Sequence, residues 1–447
     1  MTGRSEANHR FLVLRQPIAE SDFPSPRILE ANRTYKFPFT FTVPDQLLPK
    51  SCSHKISSNH VRDCHLMLPP SLGDADLAGF GGTLLDDLAP AMSRVGYAIK
   101  CRIAHQQGGE GIAVLGEKIK KVRIKPALIE QPPLSIEGNR EYRPRDDKTV
   151  RKGFLKGKLG TLSAKTMQPK PLVIPGARTT GNEQVTTMSK LILRFDPAEE
   201  TNEPPKLGSL ATKIKVTTYY ASSPRHNFPT RTTLGFDASQ GAYFENVPLT
   251  TLCIGSAQWE KQTATSNPDT EDELERRDSG ISDCSTASRA EAAFVAGVLS
   301  ASKDYKNGTF YTAQILVPIT LPSNKNFIPT FHSCLVSRTY ILGLQFGVHG
   351  SSSFNLKVPL QICAEGSDTG IEAARARSIE HTVMREAVDA WTPRSVSQPG
   401  FDEDAPPSFN EIDMVLRNNS VGMRDELPPD YAAFAPPEMR YRVPLAA

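Results

Sequence analysis

Ala211–Tyr220 reads ATKIKVTTYY and Ser333–Val348 reads SCLVSRTYILGLQFGV. In the first run Ile214 and Val216 alternate with Lys213 and Lys215. A period of two puts the apolar pair on one face and the lysines on the other, the pattern of a half-buried antiparallel strand. The second run is likewise made of apolar, β-branched and aromatic residues, which favour a pleated surface. Working outward, runs of the same kind recur upstream at Arg10–Leu14, Thr34–Val43, Val95–Ala104, Lys120–Ile124 and Ser189–Phe195, and downstream at Thr309–Ile319 and Phe354–Ile362. Turn-forming Pro, Gly, Asn and Asp separate them. Strands in two clusters with few helical stretches between them predict an all-β chain of two tandem antiparallel sandwiches. The expected limits are 1–145 for the first sandwich and 146–365 for the second.

Two segments read as disordered. Residues 262–289 (QTATSNPDTEDELERRDSGISDCSTASR) are acidic and Ser/Thr-rich, with almost nothing to bury. From 366 to 447 the chain is polar and proline-rich. Helices are expected only at Ala290–Ser300 and Gly370–Trp391, the second with a weak apolar stripe that suits folding on docking.

Composition excludes several classes. The 52 basic residues nearly balance 49 acidic ones, for a net charge of +3, so the strong basic excess of a nucleic-acid binder is missing. Seven scattered cysteines, an odd number, do not read as a secreted disulfide framework. The opening MTGRSEANHR lacks the apolar centre of a signal peptide, and no apolar run reaches the roughly 18 residues of a membrane span. The expected setting is cytoplasmic.

The sharpest motif is Pro428-Pro429-Asp430-Tyr431. Paired prolines pre-form a polyproline II turn that loses little entropy on entering an aromatic groove, and Tyr431 adds a rigid anchor. About 0.07 such matches are expected by chance in a chain of this composition. Pro428, Pro429 and Tyr431 are therefore the expected ligands of a WW domain. Ala405-Pro406-Pro407-Ser408-Phe409 is a weaker echo without the tyrosine hydroxyl. Asp278-Ser279-Gly280-Ile281-Ser282 resembles a short phosphodegron, which makes Ser279 and Ser282 candidate phosphorylation sites.

Cys52, His54, His60, Cys64 and His65 are the one cluster with metal-ligating chemistry. Their spacing matches no zinc-finger pattern, so packing and hydrogen bonding are the expected roles, with no metal and no cofactor. The chain carries no nucleophile elbow, no papain-like cysteine and no H-E-x-x-H, while GFGG at 79–82 and GGEG at 108–111 read as turns. Enzymatic activity is not expected. The basic stretches Lys118–Lys125 (KIKKVRIK) and Lys148–Lys158 (KTVRKGFLKGK) read first as solvated strand faces and second as surfaces for anionic lipid or a phosphorylated tail.

Tyr35–Leu48 (YKFPFTFTVPDQLL), Cys52-Ser53-His54, Leu68–Gly73 (LPPSLG), Asp86–Pro90 (DDLAP), Pro329–Tyr340 (PTFHSCLVSRTY) and Leu356–Ile362 resemble the fungal arrestin-like trafficking adaptors in content and order. The resemblance spans roughly residues 10–365. It implies two arrestin sandwiches and an adaptor linking plasma-membrane transporters or receptors to a WW-domain HECT ubiquitin ligase for endocytosis. The ligase-binding motif of the family falls on Pro428, Pro429 and Tyr431. Partners implied are that ligase and cytoplasmic tails of membrane cargo, with recruitment to plasma membrane and endosomes. Family members carry further strands ahead of the block that begins at Arg10, so an incomplete first sandwich is expected. The rival expectations are an arrestin-fold scaffold in signalling or endosomal sorting without a ligase and, from another class, a metal-dependent hydrolase using Cys52–His65.

Overall fold

The computed structural model describes residues 6–366 apart from 17, 27, 75–84, 107–111, 129–138, 154–156, 177–183, 236, 264–298, 304, 306 and 307. The chain divides into two units, one holding Asn8–Ser53 and the other His54–Gly366.

In the larger unit the strands are β1 (Tyr97–Gln106), β2 (Ile112–Val122), β3 (Arg145–Arg151), β4 (Lys158–Thr166), β5 (Leu172–Ile174), β6 (Thr186–Pro197) and β7 (Leu207–Ala221). They continue with β8 (Gln240–Cys253), β9 (Glu260–Thr263), β10 (Thr309–Thr320), β11 (Phe331–His332), β12 (Val336–Val348), β13 (Phe354–Leu360) and β14 (Ile362–Ala364). One sheet runs β3-β4-β6-β10-β9 and the other β11-β12-β7-β8, with β13 also on β12. Every ladder in both is antiparallel.

The two sheets share one apolar core. Leu162, Leu193, Phe195 and Val317 from the first meet Ile214, Val216, Leu342, Phe346 and Val358 from the second. Two antiparallel sheets with interdigitating inner faces make a β-sandwich. The chain is all-β, as the alternation implies. Ile214 and Val216 are buried while Lys213 is exposed and Lys215 half-buried, and the Lys215 ammonium lies 4.1 Å from the centre of the Phe244 ring. The central strand β12 is buried along most of its length. At its end Phe346 stacks on Phe354 of the neighbouring β13, with centroids 4.9 Å apart and planes at 6°.

Ahead of the sandwich sheets, the large unit contains a helix that the strand-dominated pattern did not predict, α1 (Asn59–Leu66). Ser58 caps it by accepting a hydrogen bond from the Val61 N–H, which satisfies one of the orphan donors of a first turn. Val61, Cys64 and His65 fall at i, i+3 and i+4 on one buried face, while His60 faces solvent. The following block Leu68–Leu72 is buried throughout, so its prolines line a core rather than mark a surface turn.

The segments Arg10–Leu14 and Thr34–Val43, expected as strands, form none. Thr34–Val43 has an aromatic alternation, but Pro38 and the adjacent Pro44 cannot donate to a ladder. Without a paired neighbour the aromatics lie in the open: Phe39 and Phe41 touch each other, and Phe39 is 57% exposed. Propensity alone does not make a strand; it needs a partner.

Candidate functional site

Pro428, Pro429, Tyr431, Ser279, Ser282 and the expected helix 370–391 lie outside the described residues. The described surface holds two basic features and one Cys/His cluster.

The stretch Lys118–Lys125 builds the end of β2, which pairs with β1. Lys118 and Lys120 are solvent-exposed, as a charged strand face should be. The apolar side chains of the ribbon are exposed as well: Ile103, Val114, Leu115 and Ile119 are 50 to 70% exposed. The ribbon therefore presents apolar and cationic side chains together. Glu117 partly neutralises it, pairing with Lys100 at 2.6 Å and Arg102 at 3.1 Å. Those two cations, Lys100 first, hold the Glu117 carboxyl below the usual carboxylate range.

Lys148, Arg151, His349 and Gly350, with neighbouring serines, line a cleft of about 820 Å³ at the end of β3. Lys148 is held in place by Asp146 at 3.5 Å and by Ser352 Oγ at 3.2 Å. Arg151 is exposed, and its backbone N–H donates to the Gly350 carbonyl at 2.9 Å. Gly350 sits at φ +83°, and a Cβ there would collide with the Arg151 carbonyl oxygen. A glycine-built turn thus holds cationic groups around a cleft suited to an anionic group.

The Cys/His cluster is not the one that spacing suggested. His60 is exposed, with its ring 5.3 Å from that of Phe228, and the Cys64 thiol is buried and pushed up to about 11 by desolvation and then by Asp63. His54 and His65 come together instead, with ring centroids 5.6 Å apart, and they are joined by Cys334 from the turn between β11 and β12. Donor atoms of His54, His65 and Cys334 all lie within 4.8 Å of one another. His65 and Cys334 are each 2% exposed. His54 Nδ1 stands 3.0 Å from the Lys55 carbonyl oxygen, and His226 Nδ1 stands 2.6 Å from the same oxygen. A carbonyl only accepts, so Nδ1 of His54 carries a proton and donates it to this oxygen. His332 lies beside the group; burial, reinforced by His65, Arg225 and His60, pushes its pKa down to about 3 and keeps it neutral. The signal that sequence inspection missed is Cys334, remote in the chain and delivered by the β-sandwich.

Residues 18–77 match a family model described as the Bul1 N terminus. That segment of the chain is similar to Bul1. It contains Tyr35–Leu48, Cys52-Ser53-His54 and LPPSLG, three of the blocks that carried the arrestin-like resemblance. Among solved structures, a crystal structure of squid arrestin aligns at 8% identity with a TM-score of 0.18, over 46% of this chain and 50% of the squid chain. The chain thus spans about half of that protein, and its fold class rests on its own sheets. No curated protein sequence matches the chain. Among the described residues, no helix is long and apolar enough to cross a membrane.

Proposed function

We propose that this chain is an arrestin-like adaptor that recruits a WW-domain HECT ubiquitin ligase to membrane transporters or receptors. Pro428-Pro429-Asp430-Tyr431 is the observation that carries the proposal. The match of residues 18–77 to the Bul1 N terminus and the antiparallel sandwich support it. In this mechanism the chain makes and breaks no bond. One end binds the ligase and the body binds the cargo, so ubiquitin transfer is accelerated by effective concentration. The cleft around Lys148, Arg151 and His349 suits an anionic segment of the cargo's cytoplasmic tail.

Affinity capture of intact protein and of the Tyr431→Ala variant tests the proposal. Loss of ligase with retention of cargo is the expected result. Unchanged ligase recovery sinks the adaptor mechanism and leaves the arrestin-fold scaffold without a ligase.

A further inference from the structure

We infer that His54, His65 and Cys334 hold a zinc ion that ties α1 to the turn between β11 and β12. These three donors are brought together from separated parts of the chain, with atoms within 4.8 Å of one another. A tetrahedral zinc site with Zn–N near 2.0 Å and Zn–S near 2.3 Å needs donors about 3.3–3.8 Å apart. The group is therefore near ligating distance and closes by small side-chain movements.

The set is two imidazoles and one thiol. Soft thiolate with imidazole selects zinc over the hard cations, which take oxygen ligands.

The surroundings fit a metal better than a packed polar cluster. Metal-bound histidines usually donate their second ring N–H to a carbonyl or carboxylate, which fixes the tautomer and aims the other nitrogen. His54 does this through Nδ1 to the Lys55 carbonyl. Cys334 is set by the turn Ser333–Val336, which is closed by the Ser333 N–H on the Val336 carbonyl at 2.9 Å, while its own carbonyl accepts from the Arg225 N–H at 3.0 Å. The Arg225 guanidinium is 2% exposed, and its Nε and Nη2 make no hydrogen bond among the described residues.

The burial of His65 and Cys334 leaves little room for substrate, so the ion's role is structural. The ion does for α1 what helix length cannot: eight residues are too few to hold a helix by themselves.

The test is made on tag-free, full-length protein purified without chelator. Elemental analysis is expected to find about one zinc per chain. Exchange with cobalt(II) is expected to give intense tetrahedral d–d bands and a thiolate-to-cobalt charge-transfer band. Cys334→Ser and His65→Gln are expected to lose the metal. Cys101→Ser, at an exposed cysteine outside the cluster, is expected to keep the metal. Chelation is expected to lower the thermal midpoint of the wild type and to leave that of Cys334→Ser unchanged. Where a variant fails to fold, the wild-type cobalt spectrum decides alone. A wild type that binds no zinc, a weak octahedral cobalt spectrum, or full metal retention in folded Cys334→Ser and His65→Gln overturns the proposal.

Discussion

The guanidinium of Arg338 donates through Nη1 to the backbone carbonyl of Asp87 at 2.9 Å. Its Nη2 reaches the next carbonyl, Leu88, at 3.2 Å. Arg338 is on the central strand β12 and is fully buried, whereas Asp87 and Leu88 belong to the connection that precedes β1. A strand cation therefore satisfies two loop carbonyls and seats Leu88 in the sandwich core. The Asp87 carboxylate completes the fastening by accepting the Gly73 N–H at 2.6 Å and the Ala89 N–H at 3.1 Å.

Arg338→Met keeps much of the side-chain volume but removes both donors. Each charge-assisted hydrogen bond contributes about 1.5–3 kcal/mol, and the two carbonyls would be left buried without a partner. The expected loss is about 2–4 kcal/mol, read as a lower urea midpoint with an unchanged m-value. A change under about 0.5 kcal/mol would show that the two carbonyls find other donors.

Asp86 fastens the same connection from outside, pairing with Lys325 Nζ at 2.7 Å. The Lys325 hydrogen bond holds the Asp86 carboxyl below its ordinary 3.8, with further lowering from the Leu88 N–H. A carboxyl with a depressed folded pKa contributes stability above its unfolded pKa and loses it as pH falls through the folded one. Asp86→Asn is therefore expected to lower the thermal midpoint at neutral pH, modestly for an exposed pair. The difference from wild type should shrink as pH falls below 3.8 and vanish only below the lower pKa of the folded state. A gap independent of pH would mean that the ion pair is not its cause.

Phe346→Ala removes a fully buried ring and its stack on Phe354. Truncation of a buried Phe costs about 3–5 kcal/mol, because the cavity relaxes only in part. The midpoint of chemical unfolding measures it. A loss near 1 kcal/mol would show that the end of the sandwich collapses easily around the gap.

Gly350→Ala puts a Cβ onto the Arg151 carbonyl at a backbone φ of +83°. Strain in the left-handed region and the clash add, so a loss of more than about 1 kcal/mol is expected. Because Gly350 also lines the basic cleft, the variant should weaken retention on an anionic peptide column at low salt. A variant as stable as wild type would show that the turn shifts freely.

Much of the sandwich was legible. Thr309–Ile319 became β10 almost residue for residue, and Ala211–Tyr220 lies within β7. Strands buried on one face write their period into the sequence. Thr34–Val43 has as good an alternation and forms no strand, since pairing depends on a neighbour that local sequence does not specify. The helix α1 was hidden by a different cause. Its eight residues are too short to show an amphipathic repeat, and its cap Ser58 stands among other serines.

The sequence by itself determined the all-β class, the alternating core positions of β7 and the motif Pro428–Tyr431, because each is encoded in residues near one another. Tertiary structure alone decided which histidines and cysteines meet. Spacing grouped His60 and Cys64 with His54 and His65, but helical geometry turns His60 to solvent. The turn after β11 supplies Cys334 in their place. A ligand set spanning distant segments has no local period, so only the folded sheets could assemble it.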